Sequence, residues 1–319
     1  MLLSVIIPVY NNPSLALRCV ESLCAGNDDV EILLVDDGSD GASAYEVDTM
    51  ADNCALNCRE SVKAIHVEHR GAAAARNSGV DHVCGRFVWF VDADDTVFSP
   101  MMRPLCDTLR SLPVATDLLH LGDMLDAKCN KHVGNSKIED AVRLQCGELF
   151  RPHSSALDHT TYVFRRELLT NHLSVRYPEN MHLLEDSVFV LKALSCAAVV
   201  YENRSLRIYR RHCDGSSQTS GRWSETQSRN YVNDICSFFG EMNSFFAQHA
   251  GCDPDGRFFA RYRYVYKRVL AVKGVEWKYI MQFRNSVKRS GDPSSVWDWM
   301  LEWKWIHRSL ALMCRFLRK

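Results

Sequence analysis

Two short apolar runs in the first hundred residues each end in a cluster of aspartates. Glu31–Val35 runs into Asp36-Asp37-Gly38-Ser39, and Phe87–Val91 runs into Asp92-Ala93-Asp94-Asp95. A continuous apolar run of this length, bounded by turn residues, is the pattern of a strand buried on both faces. The intervening segments read as crossover helices. Asn12 can cap a helix that begins at Pro13, with Leu15, Cys19, Val20 and Leu23 on one face, and Ala72–Val83 is an alanine-rich helix. With Ser4–Val9 as the first strand and Ile65–Val67 as a short third one, the region predicts an α/β unit with a mostly parallel sheet. In such sheets ligands bind beyond the carboxyl ends of the strands, where both acidic clusters fall.

Further along, the pattern predicts a helix near Leu105–Leu112, a strand near Asp117–Leu121, polar sequence to Cys146, and a helix near Arg165–Thr170. A helix opens at Glu185-Asp186 with Leu184, Val188, Leu191 and Ser195 on one face, followed by strands at Ala198–Tyr201 and Leu206–Arg210. From about Ser224 the pattern is helical. The resulting division is 1–100, 101–220 and a helical C-terminal extension over 221–319, with no internal repeat.

Composition narrows the class. A chain of 319 residues, 46% apolar, can bury a sizeable core. The apolar opening Leu2–Val9 lacks a basic start and a small-residue cleavage site, so it reads as a strand rather than a signal peptide. No run approaches the roughly 18 apolar residues of a membrane-spanning helix. Thirteen scattered cysteines, an odd number with no CxxC pair, predict reduced thiols and a cytoplasmic setting. Residues 257–319 carry fifteen Lys/Arg against four acids, a net +11, which leaves −12 on 1–256. A basic end of that strength suits an anionic surface, lipid or nucleic acid, or simply a solvated face.

Asp92 and Asp94 lie two apart where a strand ends, and the period of two in an extended chain aims both carboxylates to one side. Hard oxygen ligands suit Mg²⁺ or Mn²⁺, ions usually held by one or two carboxylates together with substrate phosphates. A lone DxD is also an ordinary acidic turn, so the flanking residues carry the weight. Arg76 and Asn77, in the helix before this strand, can supply donors to phosphates or position the acidic loop. Asp36 or Asp37 can accept from a base N–H, and Tyr10 can stack on that base. Asp186 is the candidate general base, since an acceptor hydroxyl must lose its proton as it attacks.

The ordered pieces Ser4-Val5-Ile6-Ile7-Pro8-Val9-Tyr10-Asn11, Leu34–Ser39, Ala75-Arg76-Asn77-Ser78-Gly79 through Gly85–Asp95, Leu184–Phe189, and Tyr209-Arg210-Arg211-His212 with Ser216-Ser217 together resemble the family 2 glycosyltransferases of the GT-A fold, a group dominated by inverting enzymes. The resemblance spans roughly residues 1–220. It implies that Pro8, Tyr10, Asp36 and Asp37 hold the nucleoside, Asp92 its ribose or phosphate, Asp94 a divalent cation, and Asp186 the acceptor hydroxyl, with His212 near the diphosphate or serving structure. It departs at His69-Arg70-Gly71, where the family commonly has Asn two residues before the glycine.

The expectation is an enzyme of bacterial surface-glycan type that transfers a hexose or N-acetylhexosamine from a UDP-sugar, with Mn or Mg, to a glycan or lipid-linked glycan acceptor. Two alternatives are a sugar-nucleotide nucleotidyltransferase, for which the basic glycine-rich loop is missing near Tyr10-Asn11-Asn12-Pro13, and a catalytically silent nucleotide-sugar-binding protein. Nucleic acid is not among the expected partners. An anionic membrane is, because Trp299, Trp303, Ile306, Leu310, Met313 and Leu317 form a helical stripe with Lys304, Arg308, Arg315 and Arg318 along another face. The same stripe would serve equally for packing on the catalytic domain.

Overall fold

The computed structural model of the chain describes residues 1–24, 29–57, 61–97, 101–126, 142–144, 157–181, 183–210 and 224–249. The chain forms two compact units. One comprises Met1–Glu179 with Phe189–Gly215, the other Asn180–Val188 with Ser216–Lys319.

The first unit is built on a sheet whose strands are β1 (Leu3–Val9), β2 (Val30–Asp36), β3 (Ser61–His66), β4 (Phe87–Phe90), β5 (Leu118–Asp126), β6 (Val142–Leu144), β7 (Tyr162–Arg165) and β8 (Val200–Arg210). Their order is β3-β2-β1-β4-β7-β5-β8-β6. The first four are parallel, as are β5 and β8, while β7 runs antiparallel between β4 and β5 and β6 antiparallel to β8. The helices are α1 (Pro13–Leu23), α2 (Gly41–Asn57), α3 (Ala72–His82), α4 (Met102–Ser111), α5 (Arg166–Asn171) and α6 (Glu185–Cys196), the last beginning in the second unit.

The continuous apolar strands are explained by burial on both faces. Leu3, Val5, Ile7 and Val9 of β1, with Ile32 and Leu34 of β2 and Phe87 and Trp89 of β4, pack with α1, α2 and α4. The intervening Ile6, Leu33, Val35, Val88 and Phe90 pack on the other face with α3, α5 and the later turns of α6. The period of two therefore assigns each strand residue to one of two cores. Helix α3 lies so close to the sheet that a Cβ on Gly79 would stand 2.6 Å from the Ile6 side chain, which explains a glycine inside that helix.

The order of strands also opens the crevice. From β1 the chain builds outward through β2 and β3, then returns to place β4 on the other side of β1. A reversal of this kind leaves room between the loops at the carboxyl ends of the strands. Pairing with β4 ends at Ile6, so Pro8, which has no N–H to give a ladder, sits where β1 borders β2 alone. At the opposite edge Glu31 is buried and fully served. It accepts from Ser4 Oγ at 2.5 Å, the Cys84 N–H at 2.7 Å and the Gly85 N–H at 3.1 Å. Burial alone would raise its carboxyl, but these donors hold it below the ordinary value.

Several elements differ from the sequence reading. In α1 the buried side chain of the first turn is Ala16 rather than Leu15, although Asn12 does cap the helix by accepting from the Leu15 N–H at 3.4 Å. The third strand begins at Ser61, four residues early, because an edge strand buries little and needs no apolar run. Helix α2 and strands β6 and β7 were not expected. In Tyr162–Arg165 four residues of strand run straight into α5, too short a run for periodicity to separate. The two strands expected around Glu202 are one, β8, whose irregularity appears instead as register shifts against β5 at Gly122. Cys24 is disulfide-bonded, against the expectation of reduced thiols throughout, while Cys19, Cys54, Cys84, Cys106, Cys196 and Cys236 are free.

The described part of the second unit includes α7 (Glu225–Gln248), in which Val232, Ile235, Phe238, Phe239, Met242 and Phe245 are buried at helical spacing. Among the described residues no helix is long and apolar enough to cross a membrane.

One ionic device ties β2, β3 and α2 together. His66 faces Asp36 through Nδ1 at 2.7 Å and Asp48 through Nε2 at 2.9 Å. These two carboxylates hold its imidazolium above the ordinary value, against partial burial. A raised folded-state value means that the stabilisation is complete below the unfolded imidazole range and is lost as pH rises through the raised value. The melting-temperature gap between wild type and His66→Gln should therefore be widest near about pH 6 and close toward about pH 9. A gap that does not change over that interval would contradict this linkage.

Candidate active site

The carboxyl ends of β1, β2 and β4 carry most of the residues singled out in the sequence. After β2, Asp36 and Asp37 are 1% and 2% exposed, and their carboxylates face the protein. Asp36 accepts from the Ser39 N–H at 3.2 Å through Oδ1 and meets His66 through Oδ2. Asp37 accepts from the Arg70 N–H at 3.0 Å and the Gly71 N–H at 2.9 Å, one on each oxygen. Between them the two aspartates hold the segment after β3 against the turn after β2. Gly38 lies in this turn at φ +69, and a Cβ there would stand 2.8 Å from the His69 backbone nitrogen. Glycine is required on both counts. Asn11, at φ 50, accepts from the Asp40 N–H at 2.8 Å, while its own N–H donates to Ser39 Oγ at 2.8 Å. This pins the loop after β1 to the same turn. Tyr10 is half-exposed and stacks on His69 with ring centres 4.2 Å apart.

The acidic cluster lies directly after β4. Sequence reasoning attributed the convergence of Asp92 and Asp94 to an extended strand. The strand instead ends at Phe90 and the clustering comes from a turn, closed by the Asp95 N–H donating to the Asp92 carbonyl at 3.0 Å. The turn brings in a third carboxylate. Oxygens of Asp92, Asp94 and Asp95 lie within 4.8 Å of one another, a hard-oxygen donor set that fits Mg²⁺ or Mn²⁺. Its charge is felt nearby. Burial first, and then Asp95, Asp92 and Asp94, push the Cys19 thiol well above its ordinary value.

Arg76, buried on α3, donates to Asp92 Oδ1 at 2.6 Å, and its guanidinium lies 5.3 Å from the centre of the Tyr177 ring. On the other side stands His159, a residue the sequence reading passed over. It is 3% exposed, and its Nε2 is 3.4 Å from the same Asp92 oxygen. Its ring packs edge-on against Phe90 and Tyr177. The 3-10 turn His159–Thr161 that carries it is capped by Asp158 and is fixed to β4 by the Trp89 indole, which donates to the Thr160 carbonyl at 2.8 Å. No motif would have revealed His159, since a single histidine after a polar stretch has no pattern. Burial works against the Asp92 carboxylate, yet Arg76 and then His159 outweigh it and hold the group well below the usual range.

Asn77 points elsewhere. Its amide donates to the Tyr177 carbonyl at 2.9 Å and to Glu179 at 3.1 Å, and its oxygen accepts from the Tyr177 N–H at 2.9 Å. It positions the 177–179 segment beside Arg76. Asp186 is the second residue of α6, partly buried, with Oδ1 accepting from the Ser187 N–H at 2.6 Å. The residue before the helix, Leu184, has φ 68. His212 and the amphipathic stripe of 299–317 lie outside the described residues.

Comparison with known proteins agrees with this fold. The model of glycosyl transferase family 2 matches residues 4–119, the span from β1 into β5. The glycosyltransferase EpsJ of Bacillus subtilis is 28% identical over 219 residues, covering 66% of this chain and 61% of that protein. The chain thus spans less than two thirds of EpsJ. Among solved structures, S. aureus TarS 1–349 in complex with UDP-GlcNAc superposes with a TM-score of 0.61 at 18% identity, covering 98% of this chain and 89% of that one. The mannosyltransferase PcManGT of Pyrobaculum calidifontis, in complex with GDP-Man and Mn²⁺, gives a TM-score of 0.53 at 15% identity, covering 99% and 84%. The strand order, the acidic turn after β4 and these likenesses converge: residues 4–119 match glycosyl transferase family 2, and the chain has the GT-A fold of its structural neighbours.

Proposed function

We propose that the chain is an inverting glycosyltransferase that moves a hexose or N-acetylhexosamine from a UDP-sugar to a glycan acceptor, with Mn²⁺ or Mg²⁺ at the acidic turn. The observation that carries this reading is the group of Asp92, Asp94 and Asp95 carboxylates beside Arg76, at the carboxyl edge of a parallel sheet. In this reading Pro8, Tyr10, Asp36 and Asp37 form the nucleoside end. The half-exposed Tyr10 provides a ring to stack on, and the two buried aspartates fix the turn that shapes the floor. Asp92, kept ionised by Arg76 and His159, and Asp94 form the diphosphate end. A bound divalent cation there would neutralise charge that grows on the leaving diphosphate.

The chemistry is a single displacement. The acceptor hydroxyl forms a bond to the anomeric carbon as the bond from that carbon to the diphosphate oxygen breaks. The electron pair leaves with UDP and the hydroxyl proton passes to Asp186. The start of α6 suits that task, because a helix N-terminus stabilises a carboxylate and fixes its position. The nucleotidyltransferase alternative gains no support, since the described loop after β1 is engaged with the Ser39–Asp40 turn and adds no basic group.

The acceptor in this reading is a growing surface glycan, carried on lipid at the cytoplasmic face of a membrane. Its support is the net +11 of residues 257–319 and their tryptophan-bearing stripe, since each basic residue near an anionic surface contributes about 1 kcal/mol.

Three outcomes are expected on this reading. UDP should bind at least about tenfold more tightly with Mn²⁺ than with EDTA by titration calorimetry, and Asp94→Asn should erase most of the difference. Equal affinity under both conditions would remove the cation from the site. Asp186→Asn should lower kcat by about 10²–10⁴-fold while UDP affinity holds within about twofold, because the amide keeps the shape but cannot take the proton. Transfer near the wild-type rate would take Asp186 out of the base role. In flotation at low salt the full chain should rise with anionic vesicles and a 1–295 truncation should not, whereas equal behaviour of the two would defeat the membrane reading.

A further inference from the structure

At the nucleoside end, the groups that could accept from a base and the groups that can be reached are different. The Asp36 and Asp37 carboxylates are buried, and their oxygens are engaged with Ser39, His66, Arg70 and Gly71. His69 is the opposite case. Its side chain is 53% exposed, and its ring lies on Tyr10 with an interplanar angle of 16°. Its backbone is fixed against Gly38, where only glycine fits.

The orientation of the ring is set as well. Nδ1 is 2.9 Å from the Asp37 carbonyl oxygen and 2.9 Å from Asp37 Oδ2. A carbonyl can only accept, so Nδ1 carries the hydrogen, and the neutral imidazole then keeps its lone pair on Nε2. Asp37 thus orients a half-exposed imidazole that lies on the Tyr10 ring and leaves its second nitrogen as the acceptor.

We propose that His69 is the base-reading residue of this chain: a nucleobase bearing an imide N–H, uracil above all, stacks beside the imidazole over Tyr10 and donates that N–H to Nε2. A ring hydrogen-bonded edge-on to the imidazole lies within its plane, and is therefore nearly parallel to Tyr10. Cytosine presents an unprotonated nitrogen at the same position, so two lone pairs would face each other and the hydrogen bond is lost. A partly desolvated hydrogen bond of this kind is worth about tenfold in affinity. The inference rests on reading the site as one for a nucleoside diphosphate sugar. It makes His69, the position where the family commonly has Asn, a specificity-determining residue.

The test is equilibrium binding of UDP, CDP and N3-methyl-UDP, each with Mn²⁺, to wild type and to His69→Phe, whose ring keeps the stack on Tyr10. Wild type should bind UDP about tenfold more tightly than either analogue, and in His69→Phe the three affinities should converge at the level of CDP. The comparison of UDP with its N3-methyl form needs no substitution, so a folding defect in the variant cannot mask the answer. Equal binding of those two by wild type overturns the proposal. A preference for UDP that survives in His69→Phe also overturns it, and returns the base contact to another acceptor. Failure of wild type to bind any of the three overturns the active-site reading itself, and this proposal with it.

Discussion

Three carboxylates within 4.8 Å of one another repel, and the rest of the site is arranged around that repulsion. At such a separation two unit charges in a partly wet site cost about 3–4 kcal/mol at an effective dielectric of about 20. A chain keeps such a cluster only where something offsets the cost. Here Arg76 does so directly, at 2.6 Å from Asp92, and His159 assists from 3.4 Å. Each depends on the fold behind it. Arg76 reaches Asp92 because α3 lies close on β1 and β2, an approach that Gly79 allows. His159 is in place because the Trp89 indole fastens its turn to β4. The negative potential of the cluster also burdens the Cys19 thiol, and it is what a cation and a diphosphate would use.

The two acidic motifs, similar in sequence, have opposite structural roles. After β2 the carboxylates are buried and their oxygens are taken by backbone N–H groups and His66, so they act as struts. After β4 the turn leaves Asp92 and Asp94 only partly covered. The difference lies in where each motif finds its donors. The segment after β3 folds back over Asp37 and supplies donors at residues 70 and 71, whereas the acidic turn closes on its own Asp92 carbonyl and leaves Asp94 partly exposed.

Much of this was readable from residue order. The apolar runs of β1, β2 and β4, the Asn12 cap and the alanine-rich α3 are local patterns, and a strand buried on both faces has no other way to look. What escaped the sequence depends on partners distant in the chain. Helix α2 and strand β3 pack on one side only and carry mixed polar sequence. Strand β7 is recognisable only through its antiparallel neighbours β4 and β5. His159 acquires its position from a contact 71 residues away, between Trp89 and Thr160. Asp95 was visible in the motif, but its membership of the cluster needed the turn geometry. The family departure at His69 was legible as a difference, and its meaning appeared only once Asp37 was seen to orient the ring.

The central claim is that the acidic turn after β4 supports transfer from a nucleotide sugar. Release of nucleoside diphosphate from a panel of sugar nucleotides, monitored with Mn²⁺ and again after chelation, addresses it in one measurement. The account predicts turnover of a UDP-sugar that stops when the cation is removed and resumes when it is restored. Turnover unaffected by chelation, or none with any sugar nucleotide in the presence of the cation, would contradict it.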